Sequence, residues 1–285
     1  MSIADRSNLV VIAADDDSGD RLRAQKVAAA RRQRKFLTNV AIRTVSLALV
    51  LVVWQIFGAQ VDQSLFTTPL KTIYAGVEMI GNGELWDYLG PSLLVLVVGL
   101  TLAVVIGVAI GLLLARFAVF DVAFGVYITF LYSIPSVALV PLIVLWAGFG
   151  FTAKVIILFL FAFFPMVINT YQGVKNVDPK LIEVGRSFRC SEGQLWRNII
   201  LPGALPFIVT GLRLAVGRGL IGMVLADLYT AISGIGYLIV RTASTYQVDK
   251  MFVPIVTLGL LGVTLTALLR MAEKIVAPWT AAAQD

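Results

Sequence analysis

The sequence predicts an all-α integral membrane protein with six transmembrane helices and a helical loop on the cytoplasmic side. Of its 285 residues, 59% are hydrophobic and 14% are charged, and the mean hydropathy is +0.89. Soluble domains contain about 45–50% apolar residues and about 25% charged ones. A soluble core cannot bury this much apolar surface, so lipid must cover part of it.

Six apolar stretches are long enough to cross a bilayer as helices. They span residues 40–57, 92–115, 122–147, 155–174, 205–226 and 252–269. Pro135 and Pro141 are expected to break the third. The chain therefore divides into an N-terminal tail (1–39), a transmembrane domain (40–275) that contains a long loop (175–204), and a C-terminal tail (276–285).

The distribution of lysine and arginine predicts the orientation. If the N-terminus is cytoplasmic, 16 of these residues fall on the cytoplasmic side and four on the other, Lys154 among the four. Positive charge concentrates in cytoplasmic loops, so both termini are expected to be cytoplasmic. Residues 1–35 lack the apolar stretch and cleavage site of a signal peptide and are expected to form a disordered or loosely helical tail.

Two outer segments and two rows of small residues complete the membrane domain. Pro69 begins a short amphipathic run that predicts an interfacial helix, and residues 230–250 predict a lip or re-entrant turn. The small residues recur every four positions: Gly99, Ala103, Gly107 and Gly111 in one span, and Gly211, Ala215 and Gly219 in another. Such rows let helices approach closely, either within the chain or at a dimer or gating interface.

The loop at 175–204 carries its own helix signals. Asp178 is a good N-cap and Pro179 suits the first helical position, and Leu181, Val184 and Phe188 then share one helix face. Residues 191–194 form a capping box that starts a second helix, which Leu195 and Ile199 make apolar on one side and which Leu201-Pro202 is expected to end. Two folded helices outside the membrane indicate a docking element for a soluble partner.

Residues 183–202 resemble the "EAA" coupling loop of the permease subunits of binding-protein-dependent ABC importers. Glu183, Ile199, Leu201 and Pro202 stand at the family's spacing, and residues 211–215 and 233–239 are similar to the nitrate, sulfonate, taurine and bicarbonate branch. The resemblance implies a type I importer permease in the bacterial inner membrane that moves a small anionic solute. It also implies separate ATPase subunits that bind ATP and Mg²⁺, a second permease chain (identical or paralogous), and a periplasmic or lipid-anchored solute-binding protein.

The loop departs from the family pattern at three positions. Val184 and Gly185 replace the two alanines, and Arg189 replaces a glycine. If position 189 needs a left-handed backbone, arginine costs about 1 kcal/mol relative to glycine. Gly185 is expected to weaken the first helix, so the loop is expected to be less tightly formed or to dock on a non-identical ATPase.

Two sets of residues are candidates for function. The resemblance implies ATPase coupling by Glu183, Gly185, Arg186, Arg189, Ile199, Leu201 and Pro202. Polar groups inside the spans are candidates for the translocation path, with structural packing or pairing as the alternative: Asn169, Arg213, Arg218 and Asp227.

Composition weighs against other function classes. The chain has no histidine and a single cysteine, Cys190, so no catalytic, metal or cofactor site is assigned and no enzymatic activity is expected. The basic residues fit the positive-inside rule, so no nucleic-acid partner is expected. A stand-alone secondary transporter or channel remains the alternative, although the spans nearly lack the carboxylates that usually couple ions. The chain has no phosphate-binding P-loop of its own.

Overall fold

The computed structural model describes residues 31–276, except 32, 36 and 63, and every secondary-structure element among them is helical. In chain order these are α1 (Gln33–Gln60), α2 (Pro69–Gly81), α3 (Glu84–Arg116), α4 (Ala118–Ser133), α5 (Ser136–Ala147), α6 (Phe151–Lys175), α7 (Pro179–Ser187), α8 (Glu192–Leu195), α9 (Leu201–Thr230), α10 (Ile235–Ser244) and α11 (Val248–Val276). The predicted tails fall largely outside the described residues. Helix α1 belongs to a unit of its own, Met1–Val61, and the other helices belong to a second unit that begins at Asp62.

The described residues contain helices for six membrane spans when one bent pair is counted as a single span, which confirms the predicted fold class. Five of these helices are long and apolar enough to cross a membrane: α1, α3, α6, α11 and the continuous stretch Glu192–Thr230. The sixth is the pair α4 and α5, which bends by 96°. Pro135 lies at this break, and Ile134 before it is extended (ψ 129°), as residues before proline favour. Pro141 does not break the span as expected, because α5 continues through it to Ala147.

Helix α6 lies at the centre of the bundle, between α3 and α9. The small residues of α3 face it: a Cβ added to Gly107 would lie 2.6 Å from the Met166 Cβ, and one on Gly111 would lie 2.7 Å from the Val167 carbonyl oxygen. On the α9 side, a Cβ on Gly211 would lie 2.9 Å from the Asn169 Cβ. These rows of small residues therefore serve close packing within the chain, which was one of the two alternatives.

The outer segments are helical. Helix α2 confirms that a helix begins at Pro69: the Thr68 hydroxyl accepts a hydrogen bond from the Lys71 N–H, and Thr72 and Met79 lie on the buried face. The segment predicted as a lip or re-entrant turn contains α10, which packs against α9 and α11.

Candidate functional site

The loop at 175–204 begins its two helices where the sequence predicts. An Asp178 carboxylate oxygen accepts a hydrogen bond from the Lys180 N–H at 2.9 Å, with Pro179 at the first helical position. The Ser191 hydroxyl accepts from the Gln194 N–H at 3.4 Å, and the Gln194 side-chain oxygen accepts from the Ser191 N–H at 2.8 Å. These bonds satisfy backbone donors that a helix start leaves free, so the loop holds its own shape.

Gly185 is the point at which α7 contacts the second helix. A Cβ there would lie 2.6 Å from the Leu195 Cδ2 and 2.7 Å from the Ile199 Cδ1, and Gly185 and Leu195 are both buried. The glycine that was expected to loosen the loop therefore allows its two helices to pack.

Arg189 adopts the left-handed backbone conformation in which arginine is less favourable than glycine. Its φ is +55°, and the Cys190 N–H bonds back to the Gly185 carbonyl at 3.1 Å. This is the helix-ending arrangement that usually places glycine in the left-handed position. The backbone at Arg189 is therefore strained.

The second helix does not end at Leu201-Pro202, which corrects the prediction. After α8 the chain makes a π-helical turn, Trp196–Ile200, in which the Leu201 N–H bonds to the Trp196 carbonyl, and α9 follows without a gap. A proline ring clashes with the carbonyl four residues earlier in a regular α-helix. The wider π turn moves the carbonyl of Asn198 away from Pro202, so the helix continues into the fifth span.

An apolar face of α7 stays uncovered in the described chain. Leu181, Val184 and Phe188 are 54%, 52% and 81% exposed, and they line a groove of ≈ 520 Å³ together with Ile199 and Pro202.

The loop that forms this groove also carries exposed charged groups, which are called its rim. The side chains of Glu183, Arg186 and Arg189 are exposed. Arg186 lies 3.9 Å from a Glu192 carboxylate oxygen, and Arg116 at the end of α3 lies 3.0 Å from the other. The loop therefore combines an apolar groove with a charged rim and is tied to the membrane domain through α3.

The four polar residues predicted for the path have different surroundings. The Asn169 amide donates to the Pro165 carbonyl at 2.8 Å in the tight contact between α6 and α9. Arg213 pairs with Glu273 of α11 at 2.6 Å, which matches the structural alternative. The Arg218 guanidinium lies 5.0 Å from the centre of the Tyr132 ring.

Asp227 is fully buried and belongs to what we call the outer polar cluster: Ser92, Lys154, Asp227, Ser233 and Gly236. The Lys154 ammonium donates to an Asp227 carboxylate oxygen at 2.8 Å and to the Ser233 carbonyl and hydroxyl at 2.5 and 3.1 Å. The other carboxylate oxygen accepts from the Ser92 hydroxyl at 2.5 Å and from the Gly236 N–H at 3.4 Å. The cluster joins the outer ends of α3, α6, α9 and α10.

The sequence did not predict this cluster, because Lys154 was assigned to an outer loop. The feature of the sequence that could have indicated the cluster is a lysine and an aspartate at the predicted outer ends of two neighbouring spans. The glycines after Ser233 fit the same contact: Gly234 has φ +99°, and a Cβ there would lie 2.3 Å from the Asp227 carboxylate. Only glycine fits both that backbone and that space.

The sequence as a whole is similar to permeases of ABC importers. Residues 103–281 match the model for the family described as binding-protein-dependent transport system inner membrane component. The putative aliphatic sulfonates transport permease SsuC of Bacillus subtilis (strain 168) is 32% identical over 81% of this chain and 85% of its own length. The formylaminopyrimidine transport permease ThiX of Halalkalibacterium halodurans is 29% identical over 83% and 94%. The taurine transport permease TauC of Escherichia coli (strain K12) is 29% identical over 85% and 90%.

Solved structures share the fold. A chain of the inward-facing MetNI methionine ABC transporter superposes with a TM-score of 0.53 at 21% identity, over 66% of this chain and 93% of that one. A chain of an amino acid ABC transporter crystallised with histidines gives a TM-score of 0.51 at 20% identity, over 71% and 97%.

These findings confirm the resemblance stated from the coupling loop and favour it over a stand-alone transporter or channel. The matched family consists of membrane components of transport systems, which are not enzymes. The chain is a multi-pass membrane permease and belongs to the family of binding-protein-dependent transport system inner membrane components.

Proposed function

We propose that residues 178–202 dock a separate ATPase subunit and couple its ATP hydrolysis to import of a small anionic solute through the membrane domain. The observation that carries this proposal is the exposed apolar face formed by Leu181, Val184 and Phe188. A loop that only connected two spans would need neither caps, nor internal packing, nor such a face.

The face is large enough to matter for binding. Burying one large apolar side chain contributes about 1.5–3 kcal/mol. Ordering costs are small, since the caps and the Gly185 contact already fix the loop. Glu183, Arg186 and Arg189 remain at the rim for polar contacts that select the partner.

The remaining partners follow from the family. ATP and Mg²⁺ bind to the ATPase subunits. A second permease chain, identical or paralogous, encloses the path, and a periplasmic or lipid-anchored binding protein delivers the solute. The chain lies in the bacterial inner membrane with both termini in the cytoplasm, as its 16-to-four distribution of basic residues favours. The relatives SsuC and TauC, which are named as permeases for aliphatic sulfonates and for taurine, favour a sulfonate-type solute.

Transport then follows alternating access. Closure of the ATPase subunits moves the docked loops, and the loops move the spans as rigid bodies. Of the predicted path residues, this proposal retains Asn169 and Arg218. Arg213 is neutralised by Glu273, and Asp227 is neutralised by Lys154.

Two variants test the docking. Glu183→Lys reverses a rim charge, and Phe188→Ser removes the most exposed apolar group of the groove. Each is expected to reduce co-purification of the ATPase roughly 10- to 100-fold while the chain still inserts in the membrane. Asp87→Lys, a charge reversal at the exposed outer start of α3, is the matched control and should leave co-purification unchanged. Normal ATPase association and normal coupled transport in both loop variants would refute the docking role. Transport by the wild-type chain without any ATPase would refute the proposal as a whole.

A further inference from the structure

Arg218 differs from three other cationic side chains of the long helices. Those three are matched by carboxylates in the described part of the chain. These pairs are Lys154–Asp227, Lys175–Asp121 and Arg213–Glu273. Among the described residues, Arg218 has no carboxylate within ion-pair distance, and its guanidinium lies over the Tyr132 ring. It therefore keeps an unneutralised positive charge.

The depth of Arg218 determines what its charge can face. Residue 218 lies 12 positions before the end of α9 at Thr230, which is about 18 Å at the α-helical rise per residue. A guanidinium at such depth is costly against lipid and normally faces the protein interior or a water-filled path. Its side chain is exposed in the single chain, as are Leu214 and Ile221 one turn to either side. The cost of a guanidinium in lipid favours a path or a protein surface over lipid at this face of α9.

Tyr132 holds Arg218 at the break in the third span. It is the penultimate residue of α4, directly before the bend at Ile134 and Pro135, and its ring also lies against Phe164 of α6 at 6.1 Å. The same tyrosine lines a cavity of ≈ 410 Å³ between α3, α4 and α6. Transporters place solute sites where a span is broken near mid-membrane, and this contact brings a cation to such a break.

We propose that Arg218 is the anion-recognition residue of the path and that Tyr132 positions it. A cation–π contact uses the face of the guanidinium, so the N–H groups in its plane remain free to bind two oxygens of a sulfonate or similar oxyanion. Arg213 is less suited to this role, because its positive charge is already paired with the Glu273 carboxylate. This assignment rests on the proposed transport function, and it identifies Arg218 as the residue that makes the path selective for anionic solutes.

The test uses the complete transporter, with its ATPase subunits and binding protein, in proteoliposomes. The probes are labelled methanesulfonate, which is an anion, and labelled formylaminopyrimidine, which has no anionic group. Arg218→Gln is expected to lower methanesulfonate uptake roughly 10- to 100-fold, as the loss of a charged hydrogen-bonding group does, with ATPase co-purification unchanged. Methanesulfonate uptake by Arg218→Lys should lie between that of the wild type and that of Arg218→Gln, because lysine keeps the charge but lacks the planar guanidinium.

The positioning role has its own comparison. Tyr132→Phe keeps the ring and should transport like wild type, whereas Tyr132→Leu removes it and should raise the KM for methanesulfonate with a smaller effect on kcat. Arg270→Gln makes the same substitution at an exposed arginine near the inner end of α11 and should leave uptake unchanged.

Several outcomes would overturn the assignment. One such outcome is that Arg218→Gln takes up methanesulfonate as well as the wild-type complex does. Another is that the wild-type complex transports formylaminopyrimidine but not methanesulfonate. If Arg218→Gln fails to assemble, unchanged methanesulfonate KM values in Arg218→Lys and Tyr132→Leu decide against it. Failure of the transport function itself would look different, since the wild-type complex would then show no ATP-dependent uptake of either probe.

Discussion

The Lys154 ammonium lies 2.8 Å from an Asp227 carboxylate oxygen, and the two side chains are 4% and 0% exposed. The remaining donors of Lys154 bind Ser233, and the other carboxylate oxygen binds Ser92 and the Gly236 N–H. A buried charge is tolerated when it is paired and its hydrogen-bonding capacity is filled. The outer polar cluster meets this condition and fixes the outer ends of four helices to one another.

Asp227→Asn is expected to destabilise the chain, because it leaves Lys154 buried without a counter-charge. The expected loss in the free energy of unfolding is about 3–5 kcal/mol, measured by denaturation in detergent. The double variant Lys154→Met with Asp227→Asn removes both charges and keeps an acceptor for Ser92, so it should recover most of the loss. A single variant as stable as wild type would show that the pair contributes little.

Gly234→Ala should destabilise the same region through the backbone. Position 234 has φ +99°, and the added methyl would meet the Asp227 carboxylate at 2.3 Å; strain of this kind costs about 1–3 kcal/mol before the clash is counted. Gly217→Ala is the comparison, since nothing lies within 4 Å of its Cβ position in α9, and it should be neutral or stabilising by up to about 1 kcal/mol. Equal thermal midpoints for the two variants would contradict the role of Gly234.

Arg189→Gly should stabilise the coupling loop by about 1 kcal/mol, because glycine adopts the φ of +55° without strain. Slower hydrogen exchange of the α7 and α8 amides would show it. Arg189→Ala removes the same charge and keeps the strained backbone, so it should not slow exchange. If alanine and glycine behave alike, the side chain rather than the backbone governs this position.

Labelling of single cysteines can establish the orientation of the chain. In a Cys190→Ser background, a cysteine at the exposed position of Lys71 in α2 should react with a membrane-impermeant maleimide added outside. A cysteine at Arg186 in α7 should react only when the inner side is opened. Reaction of both from one side would contradict the predicted topology.

The features predicted well from the sequence depend on neighbours along the chain. The Asp178 cap and the Ser191–Gln194 capping box join residues two or three positions apart, and so does the Thr68 cap of α2. Residue types and spacing are sufficient to define such contacts. The six spans follow from hydropathy, which lipid requires of each span separately.

The features missed depend on contacts between distant parts of the chain. Lys154 and Asp227 are 73 positions apart, and Arg213 and Glu273 are 60 apart. One sequence shows that each charge needs a partner but does not show which one. The glycine at 185 was interpreted from helix propensity alone, whereas its packing against Leu195 depends on how α7 folds back.

The unbroken helix from Glu192 to Thr230 has a mechanical consequence. Its 39 residues span about 58 Å at the α-helical rise, so the capping box of the docking loop and the Asp227 carboxylate lie on a single lever. A tilt of about 10° at the docking end would displace the far end by about 10 Å over this length. The π turn at Trp196–Ile200 is an irregular joint within that lever. Under the proposed coupling, its stiffness would set how much of a movement at the loop reaches the far end of the helix.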